Sequence, residues 1–294
     1  MPFFSIIIPN FNSGRFLAIA VQSVIAQTFE DYEVIVVDNC STDGSLGCID
    51  SKDSRFRIYS IENGGCIAKS RNFGISRSVG EWVLFLDADD FWSPEKLSCL
   101  YSSIHASPIT KQYDAITHPE FKVDENGNRN GLIQPRITRW PRLNRILFVF
   151  AGNGLSTSAT GVRRSVLTED MFVTDMVFNS AEDYYAWIEM FRLQFTIFKV
   201  PEFLGSWRDH SGGNSKSQER HLAAISAVRR AAAKKICKHS LFIKMIDGYF
   251  DALDVFDRHV IMDRRSNAIA LILSRYCGFI FLYIMIRGIR RLIA

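Results

Sequence analysis

Trp82-Val83-Leu84-Phe85-Leu86-Asp87-Ala88-Asp89-Asp90 is the stretch on which the reading of the whole chain turns. Its first four side chains are apolar and follow Gly80, the pattern of a short strand buried on both faces. The end of that strand delivers Asp87, Asp89 and Asp90 to the carboxyl edge of a sheet, where open α/β folds bind ligands. Acids packed so closely repel one another unless a cation joins them. Mg2+ and Mn2+ are hard ions that take oxygen ligands, commonly one or two carboxylates plus the phosphates of a substrate. Taken alone, the stretch describes equally well a solvated acidic turn ahead of a helix starting near Ser93-Pro94.

The upstream sequence tips that balance. Phe3-Phe4-Ser5-Ile6-Ile7-Ile8 reads as a strand ended by Pro9-Asn10-Phe11-Asn12. An amphipathic helix follows, with Phe16, Leu17, Ala20, Val24 and Ile25 at helical spacing. Tyr32 to Val37 and Phe56 to Ser60 predict two more strands, and Ile67 to Ser78 a second helix. Strands alternating with helices imply a mostly parallel sheet with right-handed crossovers. Asp38, ending the second strand, therefore lies at the same edge as Asp87 and Asp89. An acid there can accept from a ribose hydroxyl or a base N–H. In a loop so rich in Asn, Ser and Thr it is equally suited to an Asx turn.

These segments together resemble glycosyltransferase family 2. Pro9-Asn10-Phe11-Asn12 is similar to the family's opening Pro-x-Tyr-Asn, with Phe11 where Tyr is usual. Val36-Val37-Asp38-Asn39-Cys40-Ser41-Thr42-Asp43-Gly44-Ser45 is similar to its Val-Asp-Asp/Asn-x-Ser-x-Asp-Gly-Ser. Asn63-Gly64-Gly65 through Ser70-Arg71-Asn72-Phe73-Gly74 resembles Asn-x-Gly…Ala-Arg-Asn-x-Gly, with Ser70 replacing Ala. Leu86 to Asp90 resembles the metal motif, and Ala181-Glu182-Asp183-Tyr184 the acidic acceptor-side motif.

The resemblance implies a GT-A fold, an α/β architecture with a mostly parallel central sheet flanked by helices. It implies one catalytic domain over 1–215, split into a nucleotide-sugar half (1–110) and an acceptor half (111–215), with a helical extension over 216–294. The implied activity is inverting transfer of one sugar from a nucleotide-diphosphate donor, UDP-linked in this reading, to a glycan or lipid-linked acceptor. Asp89 would ligate Mn2+ or Mg2+, Asp87 would touch the ribose or a metal-bound water, and Asp38 would read the base or ribose. Pro9, Phe11, Asn12, Asn63, Arg71 and Ala88 would complete the donor site. Arg71 offers a planar fork suited to phosphate or a base edge, or to a salt bridge on a helix surface.

Asp183 is the candidate general base, because an acceptor hydroxyl must lose its proton as it attacks. Glu182 and Asp183 also suit the first turn of a helix, where the dipole favours acids. Trp207-Arg208-Asp209-His210-Ser211-Gly212-Gly213-Asn214-Ser215, after strand-like runs at 195–200 and 203–207, resembles the Tyr-Arg-x-His…Ser segment near the end of such domains. Arg208 or His210 would there meet the diphosphate, or His210 would add a nitrogen ligand to the metal. The Gln-x-x-Arg-Trp motif of processive synthases is absent, which points to transfer of a single sugar. Two rival classes share parts of this pattern: a sugar-phosphate nucleotidyltransferase, and a catalytically silent nucleotide-sugar-binding protein.

Composition fits a cytoplasmic enzyme. The six cysteines show no metal-binding spacing and read as reduced thiols, and no basic leader precedes the apolar N-terminus. Polar residues 123–145 read as a loop near the acceptor site. Residues 1–215 hold 20 Lys+Arg against 25 Asp+Glu, whereas 216–294 hold 15 against 6. Within the basic part, Ala268 to Ile286 is apolar except for Ser274 and Arg275. An apolar segment flanked by arginines suits peripheral attachment to the cytoplasmic face of an anionic membrane. Packing on the domain or in a homodimer is its alternative. No nucleic-acid recognition motif accompanies the basic residues.

Overall fold

The computed structural model describes residues 1–50, 52–212, 218–236, 247–251 and 253–254. The order begins β1 (Phe4–Asn10), α1 (Arg15–Ile25), β2 (Tyr32–Asp38), β3 (Phe56–Ser60), α2 (Ile67–Arg77) and β4 (Trp82–Phe85). It continues with β5 (Phe91–Trp92), α3 (Lys96–His105), β6 (Ala115–Thr117), β7 (Glu120–Val123), β8 (Arg129–Ile133) and α4 (Pro141–Ala151). β9 (Thr160–Arg163), α5 (Glu182–Arg192), β10 (Ile197–Lys199), β11 (Gly205–Arg208) and α6 (Gln218–Ile236) complete it.

The main sheet runs β10-β6-β9-β4-β1-β2-β3. β1, β2, β3 and β4 are parallel, with Asn10 level with Asp38 and Phe4 level with Trp82. Their carboxyl ends therefore meet at one edge, as the strand–helix alternation predicts. β9 runs against both of its neighbours, so the sheet is mixed. A second sheet, β5-β11-β7-β8, places Arg208 beside the acidic loop after β4.

Alternation along β1 sorts the core into two layers. Ile6 and Ile8 face Leu17, Ala20, Val21 and Val24 of α1 and Leu97, Leu100 and Ile104 of α3. Ile7 faces the opposite layer, with Val83, Phe85, Phe148 of α4 and Trp187, Ile188 and Phe191 of α5. The expected apolar side of α5 is buried as read, while Ile25 is 37% exposed. Phe16 turns from the α1 core stripe and packs against His210, the rings tilted by 55° with centroids 4.6 Å apart.

One expectation is refined. The polar stretch 123–145, read as an ordered or mobile loop, holds β8 and the start of α4 as well as the loop residues 124–128 and 134–140, and Asp124 accepts from the backbone N–H groups of Asn126 and Asn128. That Asx-type contact and Gly127 at φ +88° close a tight turn that a loop reading overlooks. The extension expected over 216–294 includes α6, which packs against the domain. Ala224, Val228, Ala232 and Ala233 of α6 are buried with Phe148 and Trp187 in one core. Small residues let α6 seat closely against α4 and α5. The Ala268–Ile286 segment lies outside the described residues. Among the described residues, no helix is long and apolar enough to cross a membrane.

Gly74 shows why α2 can lie close to β1. A Cβ there would come within 2.4 Å of Ile7 Cγ2. Gly74→Ala is expected to lower stability by about 1–3 kcal/mol through overpacking, measured as a shift in the urea midpoint at unchanged slope.

Candidate active site

The carboxyl ends of β1, β2 and β4 open into a cavity of about 1410 Å³. Pro9, Phe11, Asn12 and Asn63 line it, together with Arg71, Asp87, Ala88 and Asp89. Glu182 and Asp183 at the start of α5, and Arg208 and His210 after β11, line the remainder. The structure thus gathers every candidate except Asp38, which is 2% exposed and absent from the lining. Its carboxylate accepts from Asn10 Nδ2 at 2.7 Å, Ser41 N at 2.9 Å and Ser41 Oγ at 2.6 Å. It closes the Asx-type turn that its sequence context allows, and Asn39 reaches the cavity instead.

Local geometry fixes the loops after β1, β2 and β3. Asn12 adopts φ 47°, accepts from Thr42 N at 2.8 Å and donates its own N–H to Ser41 Oγ. Those bonds stitch the β1–α1 loop to the β2 loop and leave Phe11 58% exposed at the cavity. Asn63 donates from Nδ2 to Ser70 Oγ and accepts from Gly65 N, both at 2.8 Å.

Arg71 is buried and bridges two walls. Its Nη2 lies 2.7 Å from Asp87 Oδ1 and its Nη1 2.5 Å from Glu182 Oε1. Burial disfavours its charge, but Asp87 and Glu182 outweigh that cost and hold the guanidinium protonated. Burial pushes the carboxyls of both acids upward, against the pull of Arg71.

Asp183, next in sequence, is placed differently. Its Oδ2 accepts from Thr157 Oγ1 at 3.0 Å and Asn153 Nδ2 at 3.3 Å, and its Oδ1 from Tyr184 N. Asp89 Oδ2 lies 2.9 Å from His210 Nε2, with the Phe16 ring packed at a tilt against the imidazole. Arg208 donates from Nε to the Asp89 carbonyl and from Nη1 to that of Glu125, which ties the acidic loop to β11 and the hairpin.

Asp90 leaves the cavity altogether. It is 2% exposed, accepting from Ser158 Oγ at 2.6 Å and Arg208 N at 2.9 Å. Burial, with Asp89, Glu120 and Asp87 adding to it, raises its carboxyl well above the usual range. Ser158 is the node here: its hydroxyl also accepts from Asp87 N, and its carbonyl accepts from Lys96 Nζ and Trp92 Nε1. Sequence reasoning missed Ser158, Thr157 and Asn153. The Gly-Asn-Gly-Leu-Ser-Thr-Ser run at 152–158 was the signal, polar and small immediately before a strand.

Asp89 and His210 suit a divalent ion, offering a hard oxygen and an imidazole nitrogen and leaving other positions for phosphate oxygens. Among the described residues no group of three or more His, Cys, Asp or Glu is arranged to hold a metal. Phosphate oxygens would have to complete the shell.

A sheet of this topology with an acidic loop at its carboxyl edge defines a GT-A-like α/β protein. Residues 5–167 match the profile described as Glycosyl transferase family 2. An uncharacterized glycosyltransferase of Nostoc sp. strain PCC 7120 is 30% identical over 246 residues, covering 78% of this chain and 70% of that protein. The glycosyltransferase GlyG of Streptococcus pneumoniae is 31% identical over 125 residues, 42% of this chain and 40% of its own. Staphylococcus aureus TarS (residues 1–349), solved with UDP, superposes with a TM-score of 0.60 at 22% identity, covering 90% of this chain and 74% of that one. A mannosyltransferase of Pyrobaculum calidifontis, solved with GDP-Man and Mn2+, gives 0.56 at 17%, covering 98% and 82%. At such identities the two structures speak to the fold. The chain belongs to glycosyltransferase family 2.

Behind the acidic loop, Lys96, His118 and Glu120 are buried with Asp90. Burial pushes Glu120 up to about 7, which Ser156 and Lys96 offset only in part. The native carboxyl therefore keeps its proton up to about pH 7, whereas the unfolded chain releases it near 4.5. Its stabilising contribution is complete below 4.5 and is lost as the pH rises toward about 7. The difference in melting temperature between wild type and Glu120→Gln should therefore shift against wild type across that interval. Calorimetric scans at successive pH values check this.

Proposed function

We propose that the protein transfers one sugar from a nucleotide-diphosphate donor, UDP-linked in our reading, to a glycan or lipid-linked acceptor with inversion. The observation carrying this is the division of labour among four cavity acids. Glu182 and Asp87 are engaged by Arg71, while Asp183 and Asp89 present carboxylates from opposite walls. Asp183 is oriented by Thr157 and Asn153 and has no cationic partner among its hydrogen bonds. That suits a general base better than buried, arginine-bound Glu182.

The acceptor hydroxyl attacks the anomeric carbon of the donor as its proton passes to Asp183. The bond from that carbon to the diphosphate oxygen breaks, and the electron pair leaves with the nucleoside diphosphate. A single displacement with one base inverts the centre and needs no carboxylate nucleophile. Asp89 with His210 would hold Mn2+ or Mg2+, which as a Lewis acid stabilises the charge developing on the leaving group. Phe11, exposed at the donor side, offers a face for the base. The basic C-terminal part, in this reading, keeps the enzyme on the cytoplasmic face of the membrane.

Asp89→Asn keeps the size of the side chain and removes the anionic ligand. Mn2+-dependent UDP affinity and turnover should fall together, and unchanged Mn2+-dependent UDP binding by calorimetry would remove Asp89 from the metal site. Asp183→Asn should preserve donor affinity and lower turnover by roughly 10²–10⁴-fold, the usual worth of a general base. A loss of donor affinity instead would assign Asp183 to the nucleotide. Release of pyrophosphate from UTP and a sugar phosphate, in place of UDP from a UDP-sugar, would replace transfer by nucleotidyl transfer.

A further inference from the structure

Residues 126–168 contain seven arginines and not one Asp, Glu, Lys or His. Within this stretch Arg163 pairs with Glu81, Arg129 lies over the Phe121 ring, and Arg136 lines the cavity. Arg139 and Arg142 are exposed and make no ion pair among the described residues. Between them Trp140 is 54% exposed, with the Arg139 guanidinium 4.5 Å from its ring centroid. Of the five tryptophans, Trp82, Trp92 and Trp187 are buried and Trp207 is half-buried, so Trp140 stands apart.

The corner is built to stay in that position. Asn144, 1% exposed, accepts from Thr138 N at 2.6 Å and donates from Nδ2 to Thr138 O at 2.8 Å. Thr138 Oγ1 in turn accepts from Trp140 N, and Pro141 opens α4 with a fixed φ. The chain therefore holds a large indole in water between two arginines that form no ion pair among the described residues. A Trp with an apolar body and a polar N–H belongs at a water–bilayer boundary, and flanking arginines favour anionic headgroups.

We propose that the Arg139-Trp140-Pro141-Arg142 corner docks on an anionic phospholipid surface. It is distinct from the basic C-terminal part and independent of the transferase reading. Arg136 connects it in sequence to the cavity rim, so docking would bring the mouth of the cavity near the headgroups.

The test uses the full chain and vesicles of phosphatidylglycerol and brominated phosphatidylcholine in roughly equal parts. Wild type should bind these vesicles and not purely zwitterionic ones, with its fluorescence quenched by the bromine. Trp140→Phe should remain bound and lose that quenching. Arg139→Gln with Arg142→Gln should weaken binding by about twenty-fivefold, near fivefold for each arginine at an anionic surface. Both variants should match wild type in thermal unfolding, since the replaced groups are exposed. Undiminished quenching in Trp140→Phe, or wild-type affinity in the double variant, would move the contact to another face and overturn the proposal. So would an absence of wild-type binding, or retention on duplex DNA without any on vesicles.

Discussion

The site depends on one buried guanidinium. Arg71 is 3% exposed and joins Asp87, from the loop after β4, to Glu182, at the start of α5. Breaking a buried ion pair by removing one partner is costly because the remaining charges stay out of water. Here the loss of Arg71 would strand two acids, one on each wall. The position of Arg71 depends in turn on α2, and α2 lies close to β1 because Gly74 leaves room for Ile7. A packing contact under the sheet thus sets the spacing between the loop after β4 and the start of α5.

The acidic loop shows how one motif divides into three environments. Asp87 is neutralised by an arginine, Asp89 contacts a histidine, and Asp90 turns inward to a serine and a backbone amide. Mutual repulsion among the three is therefore relieved mostly by the protein, and only Asp89 is left with room for a divalent ion. Asp90 acts by holding its neighbours, through Arg208 and Ser158, in the orientation they need.

The central strands were legible in the sequence because parallel strands buried on both faces read as continuous apolar runs, and Tyr32 to Val37 and Trp82 to Phe85 are of that kind. The clustering of Asp87, Asp89, Arg71, Glu182 and Asp183 around one cavity also follows from motif order. What escaped was encoded by small or polar residues acting at long range. Ser158 meets Asp87 and Asp90 across some seventy positions, and the small polar run around it signals a loop without naming those partners. The β7–β8 hairpin has polar strands, and α6 packs through alanines that carry little hydrophobic signal. Asp38 lay in a context that allowed both a ligand and a turn, and its hydrogen bonds show it engaged in the turn.

The family profile ends at residue 167, whereas Glu182, Asp183 and the cavity-lining Arg220, His221 and Arg229 all come later in the chain. The cavity is thus written across the end of the profile, and its parts interlock there: Arg71 meets Glu182, Asn153 and Thr157 meet Asp183, and Asp89 meets His210. Recombination downstream of β9 would have to import a segment that restores each of these pairs. The stretch after β9 is in that sense bound to evolve together with the loops it faces.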